Sequence, residues 1–376
     1  MKDVLIVGGG PVGLVTAIAA ASSGMKVCVL DRRVPGQDHL GLTSLDKACG
    51  EGLMSPALTV LKGLGVCIDP EGARPLLGIR YIDGATVAEA PFIDGEGLGV
   101  RRVYLHNALM ERARELGVEL RWGVRVDALL DGGVQTNRGP QLGRWVVGAD
   151  GLKGRVRRWA GLETEPRPWN LRYGIRKHFV VAPWTDFVEV YWHEWGEAYV
   201  TPVGRRRVGI AFLCNDKIRS FDDMLRCFPA LAERLAGAPS DSRTMGAGPF
   251  RHQPRAVQRG NLALVGDASG YMDAITGEGL SLGFRQALAL VSAMQAGDLR
   301  LYEREHRRLG RIPIMMMAML LETARHPRLR SRLIRALAHE PRLWSKILAV
   351  GHGAEHFTYV KPWELAWIGL RILLDR

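Results

Sequence analysis

The chain has 376 residues, 47% of them hydrophobic, and carries 51 Lys and Arg against 39 Asp and Glu, which gives a formal net charge of +12. This length exceeds the usual size of one domain and suffices for a large core, so we expect two closely joined domains or one composite domain. The basic residues are scattered without a nucleic-acid-binding motif, and no apolar run reaches the roughly 20 residues that span a bilayer. We therefore expect neither a nucleic-acid partner nor a membrane-spanning segment.

The first 31 residues predict a strand, a glycine-rich turn, a helix and a second strand. The apolar run Val4–Val7 leads into Gly8-x-Gly10-x-x-Gly13, and the second strand ends at Asp31. In this spacing the first glycine makes the tight turn, the second lets the backbone approach a pyrophosphate, and the third packs helix on strand. The helix N-terminus favours the anionic oxygens, and Asp31 would bind ribose hydroxyls. The expected contacts of this dinucleotide site are Gly8, Gly10, Pro11, Val12, Gly13, Asp31 and Arg32.

The middle of the chain predicts two kinds of structure. Residues 76–93 alternate as strands, and a helix runs to Glu115. Residues 124–147 predict a β-meander whose last strand stops at Asp150-Gly151. Residues 171–213 show several strand patterns without helices between them, so we expect a second, antiparallel sheet that forms one wall of a substrate cavity.

The last third of the chain returns to the first pattern and then becomes helical. A strand ends at Gly266-Asp267, and Thr276–Gly279 precedes a long helix. From about residue 300 the chain is helical and basic, with a Met-rich stretch at 312–321 that suits an adaptable cavity wall or a plain core helix. Residues 363–374 are too apolar to lie wholly in water. We expect peripheral contact with anionic lipid, a cap on the cavity, or a seam between two copies.

The five cysteines show neither Cys-x-x-Cys spacing nor a paired framework. We therefore expect no structural zinc or other metal site and a reducing compartment. The chain enters a core strand without a basic leader or a cleavage site, so no signal peptide is expected. These observations predict a cytoplasmic protein, with the C-terminal helices as the means of peripheral contact with the inner membrane face.

Three landmarks in chain order resemble one flavoprotein family: the N-terminal glycine triplet, Gly148–Gly151, and Gly266-Asp267. This family includes para-hydroxybenzoate hydroxylase-type monooxygenases, flavin halogenases and geranylgeranyl reductases, and the resemblance covers about residues 1–290. Cys49-Gly50-Glu51-Gly52 and Thr276–Gly279 look most like the reductase branch. The resemblance implies an α/β fold: a Rossmann-like FAD-binding domain, a mixed or antiparallel β-sheet substrate domain and a helical C-terminal region.

This resemblance also implies how the chain divides. We expect the FAD-binding domain in three parts, with the substrate sheet inserted between them. The segments are 1–75, 96–170 and 254–300 for FAD binding, 76–95 and 171–253 for the substrate sheet, and 301–376 for the helical basic region.

Further FAD contacts follow from the family positions. Asp267 would accept a hydrogen bond from a ribityl hydroxyl, and the helix that begins near Glu278 would direct its amides at the flavin N1–C2=O edge. Arg102 would pair with the pyrophosphate, although Arg101 is an equally charged neighbour. Asp150 fits either an FAD contact or a simple turn. The implied cofactor residues are Arg102, Val126, Asp150, Gly151, Gly266, Asp267, Gly277, Glu278 and Gly279.

The candidate catalytic residues are few. Cys49 would stand over the flavin and position substrate or pass a proton, and the alternative is a small buried thiol. The β-rich block offers groups that polarise a phenol or donate a proton, because His titrates near neutrality and Tyr is a good hydrogen-bond partner. These candidates are His178, Tyr191, His193 and Tyr199, each with a structural role as the alternative.

The reaction is predicted from the flavin chemistry that the resemblance implies. We expect first a monooxygenase that hydroxylates a lipophilic aromatic or polyketide-like substrate through a flavin C4a-hydroperoxide. The alternatives are saturation of polyprenyl C=C bonds by reduced FAD and a non-catalytic electron relay. The strand motifs of the reductases and halogenases fail at 197–202, where only Pro202 survives. Because no second glycine motif follows, NADH or NADPH would dock transiently as reductant, or a protein partner would deliver the electrons.

Overall fold

The structure is a computed structural model that describes residues 2–37, 43–93, 95–164, 171–215 and 220–374. Its strands are β1 (Lys2–Val7), β2 (Val27–Asp31), β3 (Gly36–Gln37), β4 (Thr43–Ser44), β5 (Gly52–Leu53), β6 (Ala73–Leu76), β7 (Gly78–Asp83), β8 (Thr86–Pro91), β9 (Gly97–Val100), β10 (Glu119–Trp122), β11 (Val126–Leu130), β12 (Gly133–Thr136), β13 (Gly139–Gly148), β14 (Tyr173–Phe179), β15 (Phe187–His193), β16 (Gly196–Pro202), β17 (Val208–Cys214), β18 (Met245–Ala247), β19 (Gln258–Arg259) and β20 (Leu262–Leu264). Its helices are α1 (Pro11–Ser22), α2 (Ser55–Gly63), α3 (Arg102–Glu115), α4 (Val156–Trp159), α5 (Phe221–Arg226), α6 (Pro229–Arg234), α7 (Gly279–Gln295), α8 (Leu299–Arg325), α9 (Pro327–His339), α10 (Pro341–Gly351) and α11 (Pro362–Leu374).

The first sheet is the dinucleotide-binding sheet. β10, β2, β1, β13 and β20 run parallel in that order, and β12 and β11 extend it as an antiparallel meander. Helices α1, α3 and α7 pack their apolar residues on the sheet in one core. Because parallel strands end at the same edge, β1, β13 and β20 bring the three sequence landmarks together there: Val7 lies beside Gly148, and Gly148 lies beside Leu264.

The second sheet has the order β18-β14-β17-β16-β15-β7-β8. Neighbouring strands are antiparallel except for β15 and β7, which run parallel. The strand pair β7 and β8, from residues 78–91, therefore joins the strands of 173–247 in one sheet. The predicted α/β fold with a mixed second sheet is confirmed.

The C-terminal helices cover one face of the second sheet. A proline opens each of α9, α10 and α11, a position where the missing N–H costs no hydrogen bond. Side chains of α8 to α11 share an apolar core with β7, β8 and β15. In the described part of the chain, we find no helix with both the length and the apolar character needed to cross a bilayer.

Candidate active site

The glycine turn between β1 and α1 has the predicted geometry. Gly8 has a φ of +115°, and a Cβ on it would lie 2.3 Å from the carbonyl oxygen of Ala149. A Cβ on Gly13 would lie 2.0 Å from the carbonyl oxygen of Gly8, so both positions require glycine. Gly10 is different, because a Cβ there would meet only the Arg102 guanidinium, at 3.8 Å. The loop thus leaves space for a ligand at Gly10, next to the Arg102 guanidinium.

The neighbouring residues Arg101 and Arg102 are both buried, but their guanidinium groups have different surroundings. Arg101 forms an ion pair with Asp241, with 3.4 Å between Nη1 and Oδ2. The Nε of each arginine has no hydrogen-bond partner among the described residues, but Arg102, which is also buried, has no ion-pair partner among them either. A buried guanidinium N–H without a partner, beside a glycine turn and a helix N-terminus, fits an anionic pyrophosphate oxygen. The structure therefore favours Arg102 over Arg101 as the cofactor-binding arginine.

Asp31 shapes the glycine turn. One oxygen accepts from the Gly9 amide at 2.9 Å, and the other accepts from the Arg33 amide at 2.9 Å. Burial alone would raise the pKa of Asp31, but the hydrogen bonds and charge of Arg33 outweigh it and hold the pKa below its usual value. Arg32 is exposed, and Val126 is a core residue of β11. Contacts of Asp31, Arg32 and Val126 with FAD stay predictions.

His106 is a part of this site that sequence reasoning missed. Its Nδ1 accepts from the Leu45 amide at 3.2 Å, so its Nε2 carries the proton and donates to the Gly9 carbonyl at 2.7 Å. Burial lowers the pKa of His106 to about 4, which keeps the ring neutral. A single His inside a helix pattern carries no sequence signal for this role.

Buried neutral histidines predict a loss of stability in mild acid. Burial lowers the pKa of His106, His306 and His352 to about 4 each. Between pH 6.5 and 4 the unfolded chain binds protons that the folded chain does not, so stability is full above pH 6.5 and falls as the pH drops. We expect a loss of about 1 to 2 kcal/mol for each His at pH 5, measured by urea unfolding.

Two variants isolate the contribution of His106 to this pH dependence. His106→Gln, which keeps the bond to Gly9, should show a smaller difference between pH 7.5 and pH 5 than the parent chain. His326→Gln, at an exposed position, should keep the full difference. Equal pH dependence in all three proteins would contradict the assignment.

The two aspartates at strand ends differ in what they bind. One oxygen of Asp150 accepts from the amides of Arg155, at 2.6 Å, and Val156, at 3.0 Å, so it caps the short helix α4. This is the turn role that the sequence left open, and burial raises the pKa of Asp150. Asp267 instead lines a cavity, and its Oδ2 lies 3.6 Å from Nζ of Lys47. Asp267 is the better placed of the two to accept from a ribityl hydroxyl.

The loop from Asp46 to Gly52 carries Cys49 to the cavity wall. The buried guanidinium of Arg176 holds this loop from below: Nη2 donates to Asp46 Oδ1 at 2.7 Å and to the Lys47 carbonyl at 2.9 Å. Thr201 donates to the Gly50 carbonyl at 3.0 Å. The second sheet therefore fixes the position of Cys49 relative to the first.

Glu51 connects the loop to both sheets. It is buried with a φ of +62°, a conformation that costs a non-glycine residue energy. Its Oε1 accepts from the Arg102 amide at 2.9 Å, and its Oε2 lies 2.5 Å from Nε2 of His178. Burial opposes ionisation, but the charges of His178 and Arg176 outweigh it and lower the pKa of Glu51 to about 2.

The structure corrects the placement of three of the candidate proton donors. His178 is fully buried between Glu51 and Ser242, whose Oγ lies 2.9 Å from Nδ1. The Tyr191 hydroxyl donates to Glu189 at 2.8 Å, and His193 packs against the ring of Phe228. Among the described residues, the lining of the cavity includes none of the three. Strand alternation, read without the partner layers, could not tell the cavity face from the opposite face.

Tyr199 and Tyr271 do line the cavity. The Tyr199 hydroxyl donates to the Ile275 carbonyl at 2.8 Å, so it is committed to the loop before α7. Tyr271, which sequence reasoning did not select, packs near the start of α7, 3.8 Å from where a Cβ on Gly279 would lie. Burial and the charge of Asp267 raise its pKa well above the usual value, so its hydroxyl stays protonated.

The turn before α7 also faces the cavity. Gly277 has a φ of +70°, and α7 begins at Gly279 with Glu278 as its N-cap residue. The Glu278 carboxylate does not point into open space: its Oε1 lies 3.4 Å from Nε2 of the buried His352. A flavin edge at this helix would therefore meet the backbone amides of the turn, while the Glu278 side chain joins α7 to the end of α10.

One cavity of about 530 Å³ unites these groups. At one end it is bordered by Lys47, Cys49, Arg102, Asp267 and Gly277, the groups expected around a flavin. From there it extends between the second sheet and the C-terminal helices, where its wall is apolar. That part of the wall includes Ile79, Val188, Val190, Met316, Leu320, Leu337, Trp344, Leu348 and Ile368.

The family model of the FAD binding domain matches residues 1–297. The chain belongs to this family of FAD-binding proteins. The glycine turn, the unpartnered Nε of Arg102 and the open approach at Gly10 fit the pyrophosphate of that cofactor. The predicted cofactor is thus confirmed, and the chain is an FAD-dependent oxidoreductase of a family in which NADH or NADPH is the typical reductant.

The chain is also similar to individual proteins. A digeranylgeranylglycerophospholipid reductase from Methanosarcina acetivorans is 27% identical over 81% of this chain and 78% of its own length. A para-nitrophenol 4-monooxygenase from Pseudomonas sp. (strain WBC-3) is 26% identical over 79% of this chain and 78% of its own length. The solved structure of a flavoprotein/dehydrogenase from Cytophaga hutchinsonii shares the fold, with a TM-score of 0.79, 18% identity, and coverage of 99% of this chain and 98% of that one.

Proposed function

We propose that this flavoprotein is a monooxygenase that hydroxylates a lipophilic aromatic ring bearing a long apolar chain. The observation that carries the proposal is the set of residues that lines the cavity. Its end near Cys49 and Asp267 is bordered by the aromatic residues Phe250 and Tyr271, whose ring centroids lie 5.5 Å apart. Its extension along the C-terminal helices is apolar and suits an alkyl or prenyl chain.

Residues of the chain have separate tasks in this reaction. Bound FAD supplies the redox chemistry: NADH or NADPH gives two electrons, one atom of O₂ enters the ring, and the other leaves as water. Tyr271, protonated and close to the start of α7, donates a hydrogen bond to the ring substituent. Cys49 positions the ring against the flavin face. The apolar wall excludes water and holds the chain in register.

The chain length of the substrate tests this proposal. In a series of phenols with para-alkyl chains, we expect KM to fall by about fourfold per buried methylene until the chain fills the cavity, because each CH₂ removed from water contributes about 0.8 kcal/mol. Oxygen consumption coupled to NADH or NADPH oxidation, with one ¹⁸O from ¹⁸O₂ in the product, is the measurement. Leu320→Trp, which narrows the apolar part of the cavity, should raise KM for long chains alone.

The control for this variant is Leu142→Trp, on the exposed surface of β13. It should leave the chain-length profile unchanged. A KM that does not depend on chain length would contradict the assignment of the apolar part of the cavity. A test of NADH, NADPH and dithionite with the same substrate identifies the electron donor, and flavin reduction by dithionite alone would indicate a protein partner.

A second candidate is saturation of polyprenyl C=C bonds by reduced FAD. The reductase relative from Methanosarcina acetivorans and the apolar length of the cavity favour it. Under anaerobic conditions the reduced protein and a polyprenyl alcohol should then give a product with two added hydrogens. This result, together with the absence of oxygen from every product in air, would replace hydroxylation by reduction.

A lipophilic substrate of this kind resides in membranes, and we propose that the protein meets it by peripheral contact through the basic C-terminal helices. Residues 325–376 carry ten Lys or Arg against four Asp or Glu. Such an excess favours the surface of an anionic bilayer.

A further inference from the structure

Helix α11 has its polarity reversed relative to an ordinary surface helix. Ile368 is buried, and on its side of the helix Glu364 pairs with Lys346 at 2.7 Å and Arg371 pairs with Glu340 at 3.2 Å. The ionic residues of α11 are thus directed at α10 and at the residue between α9 and α10. The residues on the other side, each at least 45% exposed, are apolar: Trp363, Trp367, Leu370, Leu373 and Leu374.

These exposed residues form a continuous stripe. Their spacing of three or four residues places them on one face of the helix. The ion pairs on the inner side of α11 fix which side of the helix packs on the protein. The apolar side is therefore held towards the solvent. An exposed apolar stripe of this size marks a binding surface.

We propose that α11 lies in the headgroup region of an anionic bilayer, with this stripe towards the acyl chains. A groove beside the stripe is lined by two cations, Arg342 and Lys346, by two carboxylates, Glu340 and Glu364, and by Trp363 and Trp367. Trp is suited to this boundary, because its ring is apolar and its N–H is polar. The charge complementarity comes from the excess of basic residues in 325–376, which carry ten Lys or Arg against four Asp or Glu.

The substrate cavity opens beside this helix, a conclusion that rests on the proposed function. Leu365 of α11 and Met315 and Met319 of α8 line the cavity and are at the same time at least 40% exposed. The cavity therefore reaches the surface at these two helices. A substrate chain can pass from the acyl region into the cavity without crossing water, which would cost about 0.8 kcal/mol per exposed CH₂.

A second copy of the chain fits this surface less well. In a two-fold interface the same surface faces itself, so the net positive charge of residues 325–376 in one copy would face the same net charge in the other. Like charges across an interface are unfavourable, whereas an anionic bilayer neutralises them.

Co-sedimentation of the FAD-loaded full chain with vesicles tests the proposal. We expect binding to vesicles of phosphatidylcholine with about 30% phosphatidylglycerol, and much less binding to phosphatidylcholine alone. The double variant Leu370→Glu, Leu373→Glu should lower the fraction bound at least tenfold, because it places carboxylates among the acyl chains. Leu142→Glu, on the exposed surface of β13, should bind as the parent chain does.

Activity separates this inference from the proposed function. The double variant should turn over a dissolved short-chain alkylphenol at the parent rate and lose turnover of a long-chain one embedded in vesicles. Equal vesicle binding by the double variant and the parent chain would overturn the inference, and so would a parent chain that stays in the supernatant. A parent dimer that the double variant dissociates, without vesicle binding by either, would identify a second copy instead. Vesicle binding without hydroxylation would overturn only the proposed function.

Discussion

Arg102→Gln should weaken FAD binding by about 30- to 150-fold, because a charged hydrogen bond to a phosphate is worth about 2 to 3 kcal/mol. The guanidinium is buried beside Gly10, and its Nε has no hydrogen-bond partner among the described residues. The backbone amide of Arg102, which binds Glu51, is unchanged by this substitution. Titration of the apoprotein with FAD, followed by quenching of flavin fluorescence, measures the effect.

Arg101→Gln is the matched control for that experiment. It removes the same charge one residue earlier, where the guanidinium pairs with Asp241. Its FAD affinity should stay within about threefold of the parent value, although its stability falls, because a buried ion pair is broken. Equal losses of FAD affinity in the two variants would show that the pyrophosphate senses the general positive charge of the site and that Arg102 makes no direct contact.

Glu51→Ala should lower the free energy of unfolding by about 3 to 5 kcal/mol, the usual cost of removing one partner of a buried ion pair. Arg176 and His178 would lose their shared anion, and the Arg102 amide would lose its acceptor. The pKa of Glu51 is about 2 in the fold against 4.5 in the free side chain, so this contribution is full above pH 4.5 and falls as the pH drops towards 2. Urea unfolding at pH 7.5 measures it.

Glu51→Gly separates the carboxylate from the backbone. Glycine adopts a φ of +62° without strain, so this variant should be about 1 kcal/mol more stable than Glu51→Ala and still well below the parent. Glu71→Ala, at an exposed position, should leave stability within about 0.5 kcal/mol. A Glu51→Gly variant as stable as the parent would mean that the carboxylate contributes nothing net.

Glu51 joins parts of the site that the proposed reaction needs in fixed positions. The loop of Glu51 also carries Cys49. Its Oε1 accepts from the amide of Arg102, the first residue of α3, and its Oε2 contacts His178 of the second sheet. A shift of this loop would therefore move the Cys49 wall of the cavity relative to the cofactor arginine.

The prediction of cofactor binding from sequence succeeded because its signals are local. Gly8 and Gly13 must be glycine for contacts made within the turn and with the adjacent strand β13, and such requirements appear as fixed spacings. The landmarks at the ends of β13 and β20 could also be recognised in the sequence, since parallel strands of one sheet end at the same edge. Strand patterns in 171–213 predicted the second sheet, because alternation is also a local property.

The sequence alone could not place the candidate proton donors relative to the cavity, because their surroundings depend on distant partners. His178 was selected for its chemistry, yet its ring is held by Glu51, 127 residues away. Tyr191 and Tyr199 lie on neighbouring strands, and only the layers that cover the sheet determine that Tyr199 reaches the cavity. His106 and Tyr271 were not selected at all, because neither stands in a motif.

The sequence by itself determined the cofactor, the two-sheet plan and the basic, apolar C-terminal region, because each depends on residue spacing or on composition along a short stretch. Only the tertiary structure decided which arginine faces the glycine turn, which side chains border the cavity, and which side of α11 is turned outward. Those outcomes depend on contacts between residues tens to hundreds of positions apart, and packing in three dimensions settles them.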